Sequence, residues 1–154
     1  RYAGTSGASE DVEKLAAQWY EGGTEVIFVS GGAMTDSVVK AAEKDGGKVI
    51  GADLDGGSLS ETIIASATKG IDSAVETVLR SYEDGTFVGG TAFNYAAKND
   101  GVMLEMGSSG FSDFSREDYR KMFNQLKNDK IQLKKDTGVD SVSELTGQWV
   151  TLKE

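Results

Sequence analysis

Short apolar runs alternate with helical stripes along most of this 154-residue chain. Four segments, beginning near Ser9, Thr35, Ile71 and Ser115, place apolar residues at the three- and four-residue spacing of an amphipathic helix. Between them lie short apolar runs at 26–29, 48–53, 62–66 and 102–106, which are typical of strands buried on both faces. Further strand candidates cover residues 2–5, 87–95 and 149–152.

The third helical segment has the clearest pattern, with its apolar residues on one stripe. The residues of that stripe are Ile71, Ala74, Val75, Val78, Leu79 and Tyr82. The fourth segment carries a second stripe of Tyr119, Met122, Phe123 and Leu126, which needs cover from this chain or from a second copy.

The alternation of strands and helices predicts an α/β fold, a three-layer, doubly wound and mostly parallel sheet. Right-handed crossovers between parallel strands bring the carboxyl ends of the strands to one edge of the sheet. We therefore expect Thr5 and Ser6, Ser30 to Gly32, Asp53, and Ser66 to Lys69 to share that edge.

Charged side chains end two of the predicted strands. Asp53 and Asp55 follow one apolar run, and Lys69 follows the next. A carboxylate and an ammonium in one cleft can accept from and donate to vicinal hydroxyls, such as those of a ribose. On spacing alone we favour the plainer interpretation, a polar turn after each strand, over such a cleft.

Composition removes several function classes. A net charge of −9 argues against nucleic acid and against anionic membrane surfaces as partners. The absence of cysteine excludes disulfides, thiolate metal sites and cysteine nucleophiles, and the absence of histidine removes the commonest general base. We expect no enzyme activity, no metal and no cofactor.

Familiar ligand motifs fail on inspection. Neither the phosphate-loop pattern nor the dinucleotide glycine pattern occurs. A calcium loop starting at Asp53 would place Ile64 where a glutamate is needed. A phosphoacceptor role for Asp53, as in receiver domains, would need an acidic pair after the first strand, and residues 2–5 supply none.

Several short motifs follow one another in a particular order along residues 2 to 133. The motifs are Tyr2-Ala3-Gly4-Thr5, Val26-Ile27-Phe28, Gly31-Gly32, Val49-Ile50-Gly51-Ala52-Asp53-Leu54-Asp55, Ala65-Ser66-Ala67-Thr68-Lys69, Asp72-x-Ala74-Val75, Gly85-x-Phe87-x-Gly89-Gly90 and Lys98-Asn99-Asp100-Gly101-Val102. In this order they resemble the basic membrane protein family of substrate-binding lipoproteins of ABC transporters, which includes purine nucleoside receptors. Each motif alone is weak, and their order and spacing together carry the resemblance.

The resemblance implies one lobe of a type I periplasmic-binding-protein fold, with a nucleoside-like ligand clamped between two lobes. Residues 1–101 would form the second, C-terminal lobe, and 102–154 the segment that returns across the hinge to a missing first lobe. It also implies ABC permease subunits as partners, and an extracytoplasmic protein that is lipid-anchored to the plasma membrane at its missing N-terminus.

The resemblance further implies site roles. Asp53, with Asp55 as the close alternative, would accept from ribose hydroxyls, and Lys69 would donate to the same sugar. Backbone groups of Gly31 and Gly32 would approach the ligand, with Ser30 and Phe28 at the edge of that loop. The plainer interpretation is a tight turn for the glycines, and for Phe28 core packing, which we favour.

Two other classes of function remain open from the sequence. The same fold serves as the effector-sensing domain of transcription regulators and membrane sensors, and an upstream DNA-binding helix-turn-helix would identify that case. A lipobox cysteine would support the transporter. An enzyme of the flavodoxin-like group is the third class, and the poor catalytic inventory counts against it.

Overall fold

The computed structural model describes residues 2–53, 60–106, 109–134, 138–147 and 150–152. Its strands are β1 (Val26–Phe28), β2 (Lys48–Ala52), β3 (Ile63–Lys69) and β4 (Val102–Glu105). Its helices are α1 (Glu10–Glu21), α2 (Met34–Asp45), α3 (Ile71–Glu83) and α4 (Arg116–Lys127), with short 3-10 helices at Ala97–Asn99 and Val142–Leu145.

The four strands form one sheet in the order β1-β2-β3-β4. Strands β1, β2 and β3 run parallel, with Phe28 opposite Ile50 and Ala52 opposite Ala67. Strand β4 runs antiparallel to β3 and places Val102 opposite Lys69. The prediction of an α/β fold with a mostly parallel sheet is therefore confirmed.

The core lies where α1 and α2 pack on each other and on the sheet. It contains Val12, Ala16, Tyr20, Ile27, Val29, Val38, Ala41, Ala42, Val49 and Ile63. Ser9 caps α1 by accepting from the backbone of Asp11 and Val12, and its own N–H donates to the buried Ser37 hydroxyl of α2 at 2.9 Å. An ion pair between Lys44 and Glu13 at 2.5 Å also joins the two helices, and the ammonium lowers the pKa of the Glu13 carboxyl.

Tyr20 and Gly47 form the closest packing between α1 and the start of β2. The Tyr20 side chain is buried, and its hydroxyl donates to the Lys48 carbonyl at 2.9 Å. The ring lies so close to Gly47 that a Cβ there would sit 2.2 Å from Tyr20 Cε1. Only glycine fits at residue 47 without moving the ring.

Two strand candidates were wrong. Residues 2–5 lie outside any strand, and the Tyr2 side chain is 99% exposed. Residues 87–95 are also irregular, because Gly89 and Gly90 interrupt them and Gly90 has a φ of 74°, which an extended strand cannot accommodate. The candidate at 149–152 falls partly on residues outside the described ranges, and only an isolated bridge joins Gly147 to Val150.

The apolar stripe of α3 lies mostly on an exposed side of the helix. None of its residues, all of which the structure describes, is buried. Ser73 and Ala74 are its half-covered residues near the N-terminus, and the Ala74 carbonyl accepts from the Tyr95 hydroxyl at 3.4 Å. The apolar residues on its exposed side are Ile71, Val75, Val78, Leu79 and Tyr82. Periodicity identified an apolar face but could not tell what covers it.

Helix α4 lies against β4. The Leu104 N–H donates to the Tyr119 hydroxyl at 3.0 Å, and Phe123 and Leu126 are half-buried. An apolar cavity of about 330 Å³ remains between the two elements. The stripe on α4 thus obtains part of its cover from this chain, while the assignment of 102–154 to a hinge-return segment stays a prediction.

Candidate functional site

Asp53 and Lys69 meet at the carboxyl edge of the parallel strands. Strand β2 ends at Ala52, so Asp53 comes directly after it, and Lys69 is the last residue of β3. The Lys69 ammonium donates to Asp53 Oδ2 and forms an ion pair with it. The Lys69 side chain is 66% exposed and that of Asp53 is 45% exposed, so a ligand from solvent can reach both groups.

The backbone of Asp53 is held in an unusual conformation. Its φ is 58°, in the left-handed region that aspartate and asparagine tolerate better than most residues. Its N–H donates to the Ala67 carbonyl at 2.7 Å, which extends the β2–β3 pairing one residue beyond the strand. The backbone of Asp53 is therefore held at the end of β2, and its carboxylate is directed towards the lysine on the neighbouring strand.

The pair keeps most of its hydrogen-bonding capacity. A carboxylate offers about four lone-pair sites and an ammonium three donors, and one contact between them uses one of each. An exposed ion pair contributes only ~0–1 kcal/mol to stability. A ligand that contacts both groups therefore loses little free energy by weakening the pair. The arrangement can accept from one hydroxyl and donate to its neighbour.

The Gly31–Gly32 loop follows β1 and leads into α2. Gly32 has a φ of 57°, and its carbonyl accepts from the Thr35 N–H at 3.0 Å. A Cβ on Gly31 would lie 2.3 Å from the Met34 methyl carbon, which is the end of a flexible side chain and can move aside. The loop belongs to the same edge of the sheet as Asp53, since β1 and β2 are parallel neighbours.

Phe28 and Ser30 line a different depression. With Leu15, Trp19 and Met34 they border a largely apolar cleft of about 240 Å³ beside β1. Phe28 is 59% exposed, so the interpretation that it packs in the core was wrong. The residues that line this cleft do not include Asp53 or Lys69. The structure therefore brings the predicted residues together as two groups, while Asp55 lies outside the described residues.

Sequence reasoning missed the turn that adjoins Lys69. The Gly70 N–H donates to the Gly101 carbonyl at 3.0 Å, directly after the lysine. Asn99-Asp100-Gly101 has the residue types of a turn, but nothing in the spacing places that turn beside β3. The antiparallel pairing of β4 with β3 is what brings them together.

The described residues hold neither a metal site nor a membrane-spanning helix. Within the described ranges, no three acidic side chains cluster in a way that could hold a metal ion. Nor does any helix there have the length and apolarity to cross a bilayer.

The comparisons with known proteins point to one family and to relatives with two kinds of name. Residues 1–137 match the family of ABC transporter substrate-binding proteins described as PnrA-like. The chain is 30% identical over 114 residues to the transcriptional activator protein Med of Bacillus subtilis (strain 168), covering 73% of this chain and 34% of that protein. It is 29% identical over 122 residues to the ABC transporter nucleoside-binding protein BmpA of Lactococcus lactis subsp. cremoris (strain MG1363), covering 68% of this chain and 35% of that protein.

One solved structure supports the fold. The crystal structure of a transcriptional activator of the comK gene from Bacillus halodurans superposes with a TM-score of 0.65 at 22% identity, covering 86% of this chain and 45% of that one. The chain spans about a third of the length of the two curated relatives. Those relatives therefore contain many residues that have no counterpart in this chain.

Proposed function

Because this chain belongs to the PnrA-like family of ABC transporter substrate-binding proteins, we propose that it supplies one half of the ligand site of a solute receptor, and that the ligand is a purine nucleoside. The observation that carries the proposal is the exposed ion pair of Asp53 and Lys69 at the carboxyl edge of the sheet. The name of the nucleoside-binding relative BmpA supports the ligand class.

In this proposal the ribose contacts the ion pair. Asp53 accepts from one hydroxyl and Lys69 donates to the oxygen of the other, with Asp55 as a second acceptor. Backbone groups of Gly31 and Gly32, with Ser30 and Phe28 beside them, approach the ligand from the end of β1. A second lobe in the intact protein completes the enclosure, and ABC permease subunits are the partners that receive the ligand.

One lobe supplies only half of the contacts, so we expect this chain alone to bind inosine weakly, with a Kd of roughly 1 mM, or about −4 kcal/mol. Amide chemical shifts of the chain, followed by NMR during an inosine titration, measure this. The Asp53 and Lys69 amides should move together, and less with 2′,3′-dideoxyinosine, which lacks the hydroxyls. Micromolar or tighter binding would refute the half-site, and unmoved amides at both residues would refute the site.

Asp53→Asn is the informative variant, because asparagine tolerates the same left-handed backbone and removes the charge. An alanine there would add backbone strain to the loss of the carboxylate. Glu76→Gln is the control, since Glu76 is another exposed carboxylate in an ion pair and its partner, Arg80, lies within the same helix, α3.

Losing a hydrogen bond to a charged group typically costs ~1.5–3 kcal/mol when buried, or about tenfold to a hundredfold in affinity, and less in an open half-site. Asp53→Asn should therefore weaken inosine binding more than dideoxyinosine binding, and Glu76→Gln should change neither. Equal losses for the two nucleosides would argue against the hydroxyl contact.

We further propose that the intact protein is an extracytoplasmic lipoprotein held at the plasma membrane. Labelling of cells with a fatty-acid analogue, followed by recovery of the native protein, tests this. Label on the protein, at a cysteine upstream of this chain, would support the anchor. An unlabelled protein in the soluble cytoplasmic fraction would contradict it.

A second function has its own observation in the two relatives named as transcriptional activators. In that case the same pair, Asp53 and Lys69, would hold an effector and the intact protein would act on transcription. Mutating Asp53 would then alter expression of target genes while leaving nucleoside uptake unchanged. The two functions are distinguished by measuring uptake and transcript levels in one Asp53→Asn strain.

A further inference from the structure

The end of β3 that carries Lys69 is locked to the turn before β4. Lys69 lies opposite Val102 in the antiparallel pair, and the next residue, Gly70, donates its N–H to the Gly101 carbonyl at 3.0 Å. The two backbones approach so closely that a Cβ on Gly70 would lie 2.0 Å from the Asp100 carbonyl oxygen. Any displacement of this turn therefore displaces the backbone of Lys69.

Helix α4 holds the turn before β4 in place. Lys127, the last residue of the helix, contacts Asp100 Oδ1 with its Nζ at 2.7 Å. Its side chain is 31% exposed, less than that of any other lysine in the ion pairs described, and its ammonium lies 5.8 Å from the centre of the Phe123 ring. The ring and the carboxylate together hold the ammonium in place, so the contact is better fixed than an ordinary surface pair.

Asp100 also has the backbone needed for the turn. Its φ is 55°, and its N–H donates to the Ala97 carbonyl at 3.3 Å. The carboxylate that meets Lys127 therefore projects from a rigid point of the turn rather than from a free loop. A force on the helix end is transmitted through this residue to the contact between Gly70 and Gly101.

We propose that Lys127 is a positioning residue for the candidate ligand site. Through Asp100 it fixes the turn that holds Lys69 beside Asp53, although it touches neither of them. The consequence for ligands rests on the proposed function, whereas the consequence for the geometry of Lys69 does not. Releasing α4 at this end should loosen Lys69 and weaken nucleoside binding without removing any group that contacts the ligand.

The test compares three variants of the 154-residue chain. Lys127→Gln removes the charge, Lys127→Arg keeps it, and Lys121→Gln removes a lysine from the same helix whose partner, Glu117, lies within α4 at 2.8 Å. The first readout needs no ligand: hydrogen exchange of the Gly70 amide and the NMR signal of the Lys69 ammonium. The second is the inosine titration.

We expect Lys127→Gln to speed exchange at Gly70 roughly two- to fivefold and to shift the Lys69 signal, since a pair of this exposure contributes little more than a surface ion pair. Inosine binding should weaken by a similar factor. Lys127→Arg should restore both readouts, and Lys121→Gln should leave both at the wild-type value.

The outcomes separate the two proposals. If the wild-type chain binds no inosine but Gly70 and Lys69 respond to Lys127→Gln, the proposed function fails and the positioning role stands. Unchanged exchange at Gly70 and an unchanged Lys69 signal in Lys127→Gln would overturn the positioning role. Asp100→Asn keeps the turn conformation and removes the negative charge from the same pair, so it should weaken the pair as Lys127→Gln does and reproduce the effect, and a wild-type response there would also overturn the positioning role.

Discussion

Gly47→Ala should destabilise the fold strongly, because of the Tyr20 ring. The added Cβ would lie 2.2, 2.4 and 2.6 Å from three carbons of that ring, well inside van der Waals contact. The ring cannot move away freely, since it is buried between α1 and α2 and its hydroxyl donates to the Lys48 carbonyl at 2.9 Å. The substitution must therefore distort the packing or break the hydrogen bond.

The magnitude follows from those two losses. Overpacking of a core typically costs ~1–3 kcal/mol, and a lost hydrogen bond about 0.5–1.5 kcal/mol. Together they lower the free energy of unfolding by about 2–4 kcal/mol, which for a chain of this size lowers Tm by roughly 4–16 °C. Urea unfolding followed by circular dichroism measures the first quantity, and a thermal scan measures the second.

Three further variants make the test decisive. Gly89→Ala is the control, because a Cβ there would meet no atom of the described chain within 4 Å and Gly89 is not among the glycines with positive φ, so its cost should stay within about 0.5 kcal/mol. Tyr20→Phe isolates the hydrogen bond at about 0.5–1.5 kcal/mol. The loss of stability in Tyr20→Leu/Gly47→Ala should be smaller than the sum of the losses in its two single variants, since the ring is the obstacle. Strict additivity, or a stable Gly47→Ala, would refute the reasoning.

Two other predictions concern ionisable groups. Burial raises the pKa of Tyr20 to about 12. The contribution of Tyr20 to stability is therefore complete below its ordinary pKa near 10 and is lost as the pH rises towards 12. Wild type should lose stability over that range relative to Tyr20→Phe, and parallel curves of stability against pH would contradict this. Ser115 caps α4, and its hydrogen bonds lower the pKa of the Asp118 carboxyl. Ser115→Ala should therefore cost about 0.5–2 kcal/mol of stability at pH 7, and less as the pH falls through the pKa of that carboxyl. Unfolding at pH 7 and at a pH below that pKa measures the difference.

The sequence was sufficient for the part of the fold that depends on strand order. Asp53 and Lys69 could be placed together because parallel strands have their carboxyl ends at one edge, whatever the remaining contacts are. Helix α1 was equally accessible, since Ser9 caps its start and Gly22 follows its end, whereas α2 has a glycine, Gly46, after its end but no side-chain cap at its start. The left-handed backbone of Asp53 had no signal beyond the residue type itself.

The failures have a common physical cause. Apolar spacing reports which side of an element avoids water, but not which neighbour provides the cover. The stripe of helix α3 is exposed, and Phe28, which was assigned to the core, lies in an apolar run but is exposed as well. Strands have a further requirement, since residues 87–95 carry apolar side chains but lack the regular backbone that a neighbouring strand would pair with.

The outer edge of β1 has a consequence for how the chain behaves at high concentration. Within the described residues, this strand pairs on one side only, with β2, and its other side presents unpaired backbone groups beside the exposed Phe28. Such an edge can recruit an extended segment from another molecule and begin an aggregate. The shortness of the strand, three residues, and the carboxylate of Glu25 just before it are the features that oppose this growth. Neutralising Glu25 would therefore remove protection from the aggregation-prone edge without touching the core.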